Sequence, residues 1–308
     1  MTLTELKYLV TLAELGHFGK AAEACHVSQP TLSIALKKLE ENLGVTLIER
    51  SKSRIVPTSN GEAIIQQAKE VLKQAALIKE IAHSGNNALN SPLKLGAIFT
   101  IGPYLFPHLL PRLKQIAPKM PLIIEESYTA SLRKKLVDTQ LDAILVAMPF
   151  NEPDVVTKPL YEENFVVMMP KDHPLAEQSN IKPSELLQHT VLLLGEGHCF
   201  RDQIFYALPE LKQMFLHNDY AMAASANTSL DTLKHMVASG LGLTILPMSA
   251  AGLNDHLSQS VCIKHFSGEA ASKMKRTVAL AWRMSFPRFE AMDAVTQAIN
   301  SCDLPIKQ

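Results

Sequence analysis

The chain has 308 residues, of which 47% are hydrophobic and 19% are charged, a composition typical of a well-packed globular protein rather than a disordered one. Thirty basic residues balance thirty acidic ones, so the formal net charge is zero and any nucleic-acid contact must come from a local patch. No apolar run reaches the ~18 residues that span a bilayer, and Glu5, Lys7 and Glu14 interrupt the first apolar stretch. We therefore expect a cytoplasmic protein without a membrane partner.

The cysteines give no sign of a disulfide framework or a zinc site. Cys25, Cys199, Cys262 and Cys302 are scattered, with no CxxC pair and no Cys/His spacing that suits zinc. The sequence thus predicts four reduced thiols, no metal site and no cofactor.

The first 60 residues begin with two short predicted helices. Thr2 to Glu5 has the capping-box pattern, and leucines then recur at helical spacing until Gly16 ends the first helix. A second helix begins near Phe18 and places small residues on one face, which lets another helix pack closely against it. A tight turn follows.

A third helix has the features of a DNA-recognition helix. Ser28 is its predicted N-cap, Pro30 is tolerated in its first turn, and Gly44 ends it. An apolar stripe from Leu32 to Leu43 faces inward, so polar residues near the N-terminal end face outward. This is a helix-turn-helix pattern. The outward residues are Gln29, Thr31, Ser33 and Lys37.

The chemistry of these side chains suits DNA. Glutamine pairs with adenine edges, serine and threonine reach bases or phosphates, and Lys37 suits a backbone phosphate. Residues 45–56 alternate as a short hairpin around the basic segment Arg50 to Arg54, which predicts a wing beside the recognition helix. The alternative is a plain helical bundle with solvated charges.

Residues 61–90 are predicted to form a linker helix that pairs with a second copy. Apolar residues alternate at spacings of four and three, which is a heptad seam. The alternative is one long helix that packs on its own domain. The seam positions are Ile64, Ala68, Val71, Ala75, Ile78 and Ala82.

The remaining residues, 91–308, alternate between predicted strands and helices, which indicates a mostly parallel sheet covered by helices. Sites in such sheets lie where strands end and helices begin. Thr100, Thr129 and Cys199 each follow a predicted strand end. The expected strands are 93–98, 122–125, 143–148, 164–169, 191–194 and 244–246, and the expected helices are 104–116, 132–137 and 229–239.

The segment "AAEACHVSQPTLSIALKKLEENLGVTLIERSKSRIVPTSNGEAI" resembles the N-terminal winged helix-turn-helix of LysR-type transcriptional regulators. The resemblance implies a dimer that binds promoter DNA, and it further implies a tetramer. The residues expected at the groove are Ser28, Gln29, Pro30, Thr31, Ser33 and Lys37, and those expected on phosphates are Arg50 and Lys52.

The segments "LYEENFVVMMPKDHPLA" and "LDTLKHMVASGLGLTILP" resemble the effector domain of the same family. The implied fold class is α/β: a winged helix-turn-helix at 1–60, a long linker helix at 61–90, and a periplasmic-binding-protein-like effector domain at 91–308. Its first subdomain would comprise about 91–162 and 267–308, with "RTVALAWR" as the last strand, and its second about 163–266.

Cys199 is the candidate reactive thiol. A cysteine in the first turn of a helix, near cationic neighbours, is predicted to favour its thiolate form. "GEGHCFRDQ" and "GAIFTIGPYLFPHLLP" resemble the peroxide-sensing members of the LysR-type family, which makes Cys199 the peroxidatic thiol by implication. The resemblance implies that Thr100, Thr129 and His198 line the peroxide pocket, supported by Asp202, Gln203 and Arg276.

The chain departs from those members at one position. In them a second cysteine downstream traps the sulfenic acid, whereas the matching position here is Leu208. Oxidised Cys199 would persist, be capped by a small thiol, or be oxidised further, unless the fold brings Cys262 or Cys302 near. The sequence therefore predicts a peroxide-sensing, DNA-binding regulator of oxidative-stress genes that is not an enzyme.

Three alternatives remain open. The first is a regulator that has lost redox switching, and the second is one gated by a metabolite bound between the subdomains. The third is a thiol peroxidase or cysteine hydrolase, although adjacent residues such as His198 and Cys199 point apart in a helix and make no ready dyad.

Overall fold

A computed structural model describes residues 1–50, 55–84, 88–217, 228–252 and 255–305. The chain divides into two compact units, residues 1–85 and residues 86–308. In the described part of the chain, no helix combines the length and apolar character needed to cross a membrane.

The first unit begins with three helices whose ends follow from local sequence. Thr2 accepts a hydrogen bond from the Glu5 N–H while the Glu5 carboxylate accepts one from the Thr2 N–H, so the predicted capping box is confirmed. Gly16 ends the first helix in the left-handed conformation (φ 60°). The helices are α1 (Leu3–Leu15), α2 (Phe18–Ala24) and α3 (Gln29–Leu43).

Helix α3 starts and ends where the sequence predicts. The Ser28 hydroxyl accepts a hydrogen bond from the Thr31 N–H at 3.3 Å, and Gly44 caps the other end with φ 69°. Leu32, Leu36 and Leu39 are buried in the core of the unit. The predicted helix-turn-helix is confirmed in these elements.

A two-stranded antiparallel wing follows α3. It pairs β1 (Ile48–Arg50) with β2 (Ile55–Pro57), so the hairpin is confirmed, although its tip at residues 51–54 lies outside the described residues. The chain then passes close beneath the wing at Gly61, where a Cβ atom would lie 2.0 Å from the Leu47 carbonyl oxygen. Only glycine fits at this position.

The linker is helix α4 (Ser59–Ser84). The first half of its predicted heptad seam is occupied by its own unit, because Ala68 is buried in the core and Ile64 and Val71 pack against it. Ile78 is 69% exposed, and the Ala82 side chain lies outside the described residues. Packing on the helix's own domain therefore holds for its N-terminal half, whereas pairing through the C-terminal half stays a prediction.

The second unit alternates strands and helices, as expected for an α/β domain. Its strands are β3 (Leu93–Ile98), β4 (Leu122–Ser127), β5 (Ala143–Ala147), β6 (Val155–Pro170), β7 (Asn180–Ile181), β8 (Val191–Leu192), β9 (Leu243–Pro247), β10 (Val261–Phe266) and β11 (Lys275–Arg283). Its α-helices are α5 (Gly102–Ile116), α6 (Thr129–Val137), α7 (Cys199–Ala207), α8 (Pro209–His217), α9 (Leu230–Ala238), α10 (Asp255–Ser260) and α11 (Phe289–Asn300).

The sheet of this unit is mixed, so the expectation of a mostly parallel sheet was wrong. Parallel pairing joins β3 to β4 and β5, β8 to β9, and β7 to β10. The long strand β6 instead runs antiparallel to β11 over its first part and antiparallel to β9 and β10 over its last part. Strands that leave one half of the domain and return to it must run in opposite directions, which the alternation pattern does not reveal.

Two hydrophobic cores lie along this sheet. The buried residues of one fall within 93–150 and 278–299, and those of the other fall within 165–274. Strands β6 and β11 connect the two, because β6 starts beside the first core and ends in the second. The domain and subdomain boundaries drawn from the sequence stay predictions at residue resolution.

Candidate functional site

The first candidate surface is the outward face of α3. Ser28, Gln29, Pro30, Thr31 and Lys37 are exposed and Ser33 is half-buried, so the structure brings the predicted groove residues onto one helix end. Lys37 forms a 3.8 Å ion pair with Glu41 on the same exposed face.

Ile34 is a residue of this face that the sequence analysis did not single out. At 100° per residue it lies opposite the buried stripe of Leu32 and Leu36, and it is 69% exposed. An amphipathic pattern would have revealed it, because an isoleucine on the polar side of such a helix breaks the pattern. Of the predicted phosphate contacts, Arg50 ends β1 but its side chain is not described, and Lys52 lies outside the described residues.

The second candidate site surrounds the start of α7. Cys199 is the first residue of that helix, and His198 is its N-cap residue. Gly197 precedes them with φ 90°, and a Cβ atom there would lie 3.3 Å from the Tyr128 ring. The glycine therefore lets the chain turn sharply into α7 directly beside Tyr128.

A small cavity lies at this turn. Its volume, counted as the space open to the centre of a water molecule, is about 10 Å³, which suits one molecule of roughly that size. Three rings enclose it: the centroid of Tyr128 is 5.2 Å from that of Phe99 and 4.8 Å from that of His198. Thr100, Thr129, His198 and Cys199 all line this cavity.

The surroundings of Cys199 act against the expectation that its thiol is ionised. Burial raises the pKa of the Cys199 thiol above its ordinary value, and the opposing effects of the Thr129 hydroxyl and the Arg276 charge do not overcome it. Asp202, one turn along α7, adds a negative charge that raises the pKa further. The helix N-terminus and nearby cations were visible in the sequence, but the partial burial of Cys199 was not.

The two threonines of the cavity have different surroundings. The Thr129 hydroxyl is buried against the thiol, and it makes no hydrogen bond to a nitrogen or oxygen atom of the described residues. The Thr100 hydroxyl, in contrast, accepts a hydrogen bond from Arg276 Nη1 at 2.8 Å. Arg276 therefore contacts the site through Thr100, and its supporting role stays a prediction.

Asp202 and Gln203 lie on the other side of Cys199. Both line a larger cavity of about 640 Å³, together with Met148, Lys275 and Arg276, and Cys199 borders this cavity too. The Gln203 amide donates a hydrogen bond to the Met148 carbonyl at 3.2 Å. Asp202 and Gln203 therefore border the larger cavity rather than the small one, and their supporting role stays a prediction.

Leu208 sits at the opposite end of α7 from Cys199. It is 4% exposed and belongs to the second hydrophobic core of the unit. Cys262 on β10 and Cys302 after α11 border neither cavity of Cys199, and all four cysteines are free thiols. Neither Cys262 nor Cys302 therefore shares a cavity with Cys199.

Within the described ranges, no group of three or more His, Cys, Asp or Glu side chains is arranged to hold a metal ion.

A buried carboxylate, Glu163, pairs with Arg276 and was missed by the sequence analysis. No sequence signal could have paired the two, because they are 113 residues apart.

Family models match both parts of the chain. The model described as "Bacterial regulatory helix-turn-helix protein, lysR family" matches residues 3–62, and the "LysR substrate binding domain" matches residues 86–301. The chain is 35% identical over 304 residues to the DNA-binding transcriptional dual regulator OxyR of Escherichia coli K12, covering 98% of this chain and 95% of that protein.

Solved structures are similar over the same extent. A full-length OxyR variant from Pseudomonas aeruginosa is 50% identical, with a TM-score of 0.74 and coverage of 98% of this chain and 96% of that one. An H2O2-bound OxyR mutant from Corynebacterium glutamicum is 33% identical, with a TM-score of 0.61 and coverage of 97% and 91%.

Proposed function

Since this chain belongs to the LysR family of bacterial DNA-binding regulators, we propose that it is an OxyR-like activator of peroxide-inducible genes that senses hydrogen peroxide through Cys199. The observation that carries the proposal is the small cavity beside Cys199, which is lined by the hydroxyls of Thr100 and Thr129 and by His198, and whose volume of about 10 Å³ is on the scale of a water molecule and far too small for an organic metabolite. As a regulator it would act in the cytoplasm, where its DNA is.

Promoter DNA is the proposed partner of the α3 face. The amide of Gln29 suits an adenine edge, and the hydroxyls of Thr31 and Ser33 suit bases or phosphates beside it. Ser28 and Pro30 bring the helix end close to the groove, whereas Lys37, Arg50 and Lys52 would neutralise phosphates. A homodimer through the C-terminal half of α4 would present two such faces to a promoter, and two dimers would make a tetramer.

The proposed chemistry is one oxidation of the Cys199 sulfur. The sulfur attacks one peroxide oxygen, the sulfur–oxygen bond forms as the oxygen–oxygen bond breaks, and the thiol proton ends on the departing oxygen. The products are a sulfenic acid and one water molecule. Thr100 and Thr129 support this step because hydroxyl groups both donate hydrogen bonds to a small peroxide and accept them from it.

The fate of the sulfenic acid differs from a disulfide switch. Leu208 offers no thiol, and Cys262 and Cys302 do not border the Cys199 cavities. We expect the sulfenic acid itself, or its adduct with a small thiol, to be the signalling state.

One alternative has a specific observation in its favour. The cavity of about 640 Å³ on the other side of Cys199 is large enough for a metabolite, and it would suit a metabolite-gated regulator. A small organic compound that raises the Tm of the protein, together with a Cys199→Ser variant that regulates normally, would support that alternative. Repeated turnover of peroxide with a thiol donor, without specific DNA binding, would instead support a thiol peroxidase.

The test is a footprint on the protein's own promoter, with and without hydrogen peroxide. Wild type should bind and change its footprint when oxidised, Cys199→Ser should bind without changing, and Leu208→Cys should gain or sharpen the peroxide response. Footprints that do not respond to peroxide in any of the three proteins would favour a regulator that has lost redox switching.

A further inference from the structure

Glu163 is a fully buried carboxylate with no part in the chemistry described above. It lies directly opposite Arg276 in the antiparallel pairing of β6 with β11, and both side chains are 0% exposed. Glu163 Oε1 accepts a hydrogen bond from Arg276 Nε at 2.7 Å and forms an ion pair with Nη2 at 2.6 Å. A buried ion pair gives little net stability compared with apolar packing, so its presence beside a reactive site calls for a functional reason.

The Glu163 carboxylate is held at both oxygens. Its second oxygen, Oε2, accepts a hydrogen bond from the Ser249 N–H at 3.1 Å, just after β9. Because neither oxygen is free to move, the orientation of the Arg276 guanidinium is fixed on that side. The Phe200 ring, 5.4 Å from the guanidinium carbon, restricts it further.

Arg276 directs its other donors to Thr100. Nη1 donates to Thr100 Oγ1 at 2.8 Å, and Nη2 donates to the Thr100 carbonyl at 2.7 Å. A guanidinium is always protonated and cannot accept a hydrogen bond, so Thr100 Oγ1 must be the acceptor. The hydroxyl hydrogen of Thr100 is then left to donate elsewhere, and it donates to no atom of the described residues.

We propose that Glu163 is a positioning residue for the oxidation of Cys199: it fixes Arg276, which fixes Thr100 as a hydrogen-bond donor to the peroxide in the small cavity. The inference rests on the proposed peroxide chemistry. As the oxygen–oxygen bond breaks, negative charge develops on the departing oxygen before it takes the thiol proton. A donor already oriented towards that oxygen stabilises the transition state.

The experiment measures two rates for Cys199 in the full-length reduced protein at the same pH, by mass spectrometry of the peptide that contains it. One is oxidation by hydrogen peroxide with dimedone trapping, and the other is alkylation by iodoacetamide. Both require the same thiolate, so the ratio of the two rates removes any change in thiol ionisation. What remains is the assistance given to the departing oxygen.

Glu163→Gln should lower this ratio about tenfold. This is a smaller decrease than the removal of a hydrogen-bond donor would cause, because Thr100 is misoriented rather than removed. Glu163→Asp should restore part of it. The matched control is Glu162→Gln, which makes the same chemical change at a half-exposed neighbour that pairs with Lys275 at 2.9 Å. The control should leave the ratio unchanged, and thermal melting would show that each variant is folded.

A double-mutant cycle separates positioning from structural damage. In a Thr100→Val background, Glu163→Gln should change the ratio by less than twofold, because its route to the peroxide is already removed. An undiminished effect in that background, or an unchanged ratio in folded Glu163→Gln, would overturn the inference while leaving peroxide sensing intact. Wild-type Cys199 that does not react with peroxide at all would overturn the proposed function and the inference together.

Discussion

Helices α3 and α7 each carry candidate functional residues at their N-terminal ends, but they are built in different ways. The end of α3 is exposed and capped by the Ser28 hydroxyl, and its groove residues all belong to one continuous segment. The end of α7 has no side-chain cap, and the groups around Cys199 come from segments far apart in the chain. The comparison teaches that a DNA-reading surface is encoded locally, whereas a reactive pocket depends on long-range packing.

The largest effect should come from removing the α7 thiol. Cys199→Ser should abolish dimedone labelling of that peptide after peroxide treatment, because no sulfur remains to be oxidised, while promoter affinity should stay within about twofold of wild type. Cys262→Ser is the matched control and should keep the wild-type rate. Loss of DNA binding in Cys199→Ser would show that DNA binding through α3 depends on the thiol of α7.

The pH dependence of Cys199 oxidation tests the burial of the α7 end. Because burial raises the pKa of the thiol, the thiolate fraction should still rise about tenfold per pH unit between pH 7 and pH 9, and the rate about 100-fold in total. The oxidation rate of a cysteine in a short unstructured peptide should begin to level off near the ordinary thiol pKa of about 8.5. An oxidation rate of Cys199 that levels off below pH 8 would mean that the pKa of its thiol is not raised.

The two ends of α7 can be compared through Leu208→Cys. Shortening a buried side chain in the second core should lower the free energy of unfolding of the reduced protein by about 2 kcal/mol, as measured by urea denaturation. Leu233→Cys, in the same core, should cost a similar amount.

Oxidation of Leu208→Cys should have a further consequence that the Leu233→Cys control lacks. Position 208 lies nine residue steps along from position 199, which is about 13 Å at the rise of a helix, whereas the Cα atoms of a disulfide lie within about 7 Å. Bond formation should therefore unwind α7, seen as a loss of helical circular dichroism. Retained helicity with a formed disulfide would contradict this separation of the two positions.

On α3, Gln29→Ala should weaken binding to the protein's own promoter about tenfold, because a lost contact with a base edge costs about 1.4 kcal/mol or more. The rate at which peroxide oxidises Cys199 should not change in Gln29→Ala. Gln66→Ala, an exposed glutamine on α4, serves as the control for DNA binding. Equal losses in both variants would show that binding is not specific to the α3 face.

The smallest effect should come from Ile34. An exposed apolar side chain at the centre of a groove-facing helix suits a thymine methyl group, so Ile34→Ala should weaken binding about fourfold, as expected for loss of one methyl contact. Replacing the contacted thymine with deoxyuridine should weaken wild type by a similar factor and leave Ile34→Ala unaffected. Sensitivity to deoxyuridine that persists in Ile34→Ala would exclude this contact.

The sequence by itself determined the helices and the wing of the first unit and pointed to Cys199 as the candidate reactive thiol. The caps at Thr2, Ser28 and Gly44, the apolar stripe of α3 and the start of α7 near Cys199 all depend on neighbours within a few residues, so local chemistry was sufficient to predict them. The alternation of strands and helices likewise gave the α/β class.

Only the tertiary structure decided the electrostatics and the contacts of the Cys199 site. Arg276 meets Thr100 across 176 residues and Glu163 across 113, and both contacts follow from the register of β11 with β6 and the position of the loop after β3. The direction of the pKa shift of the Cys199 thiol, upward rather than downward as predicted, has the same long-range origin. Helix dipoles and charges can be predicted from neighbouring residues in the sequence, but desolvation depends on all the residues that pack around the sulfur.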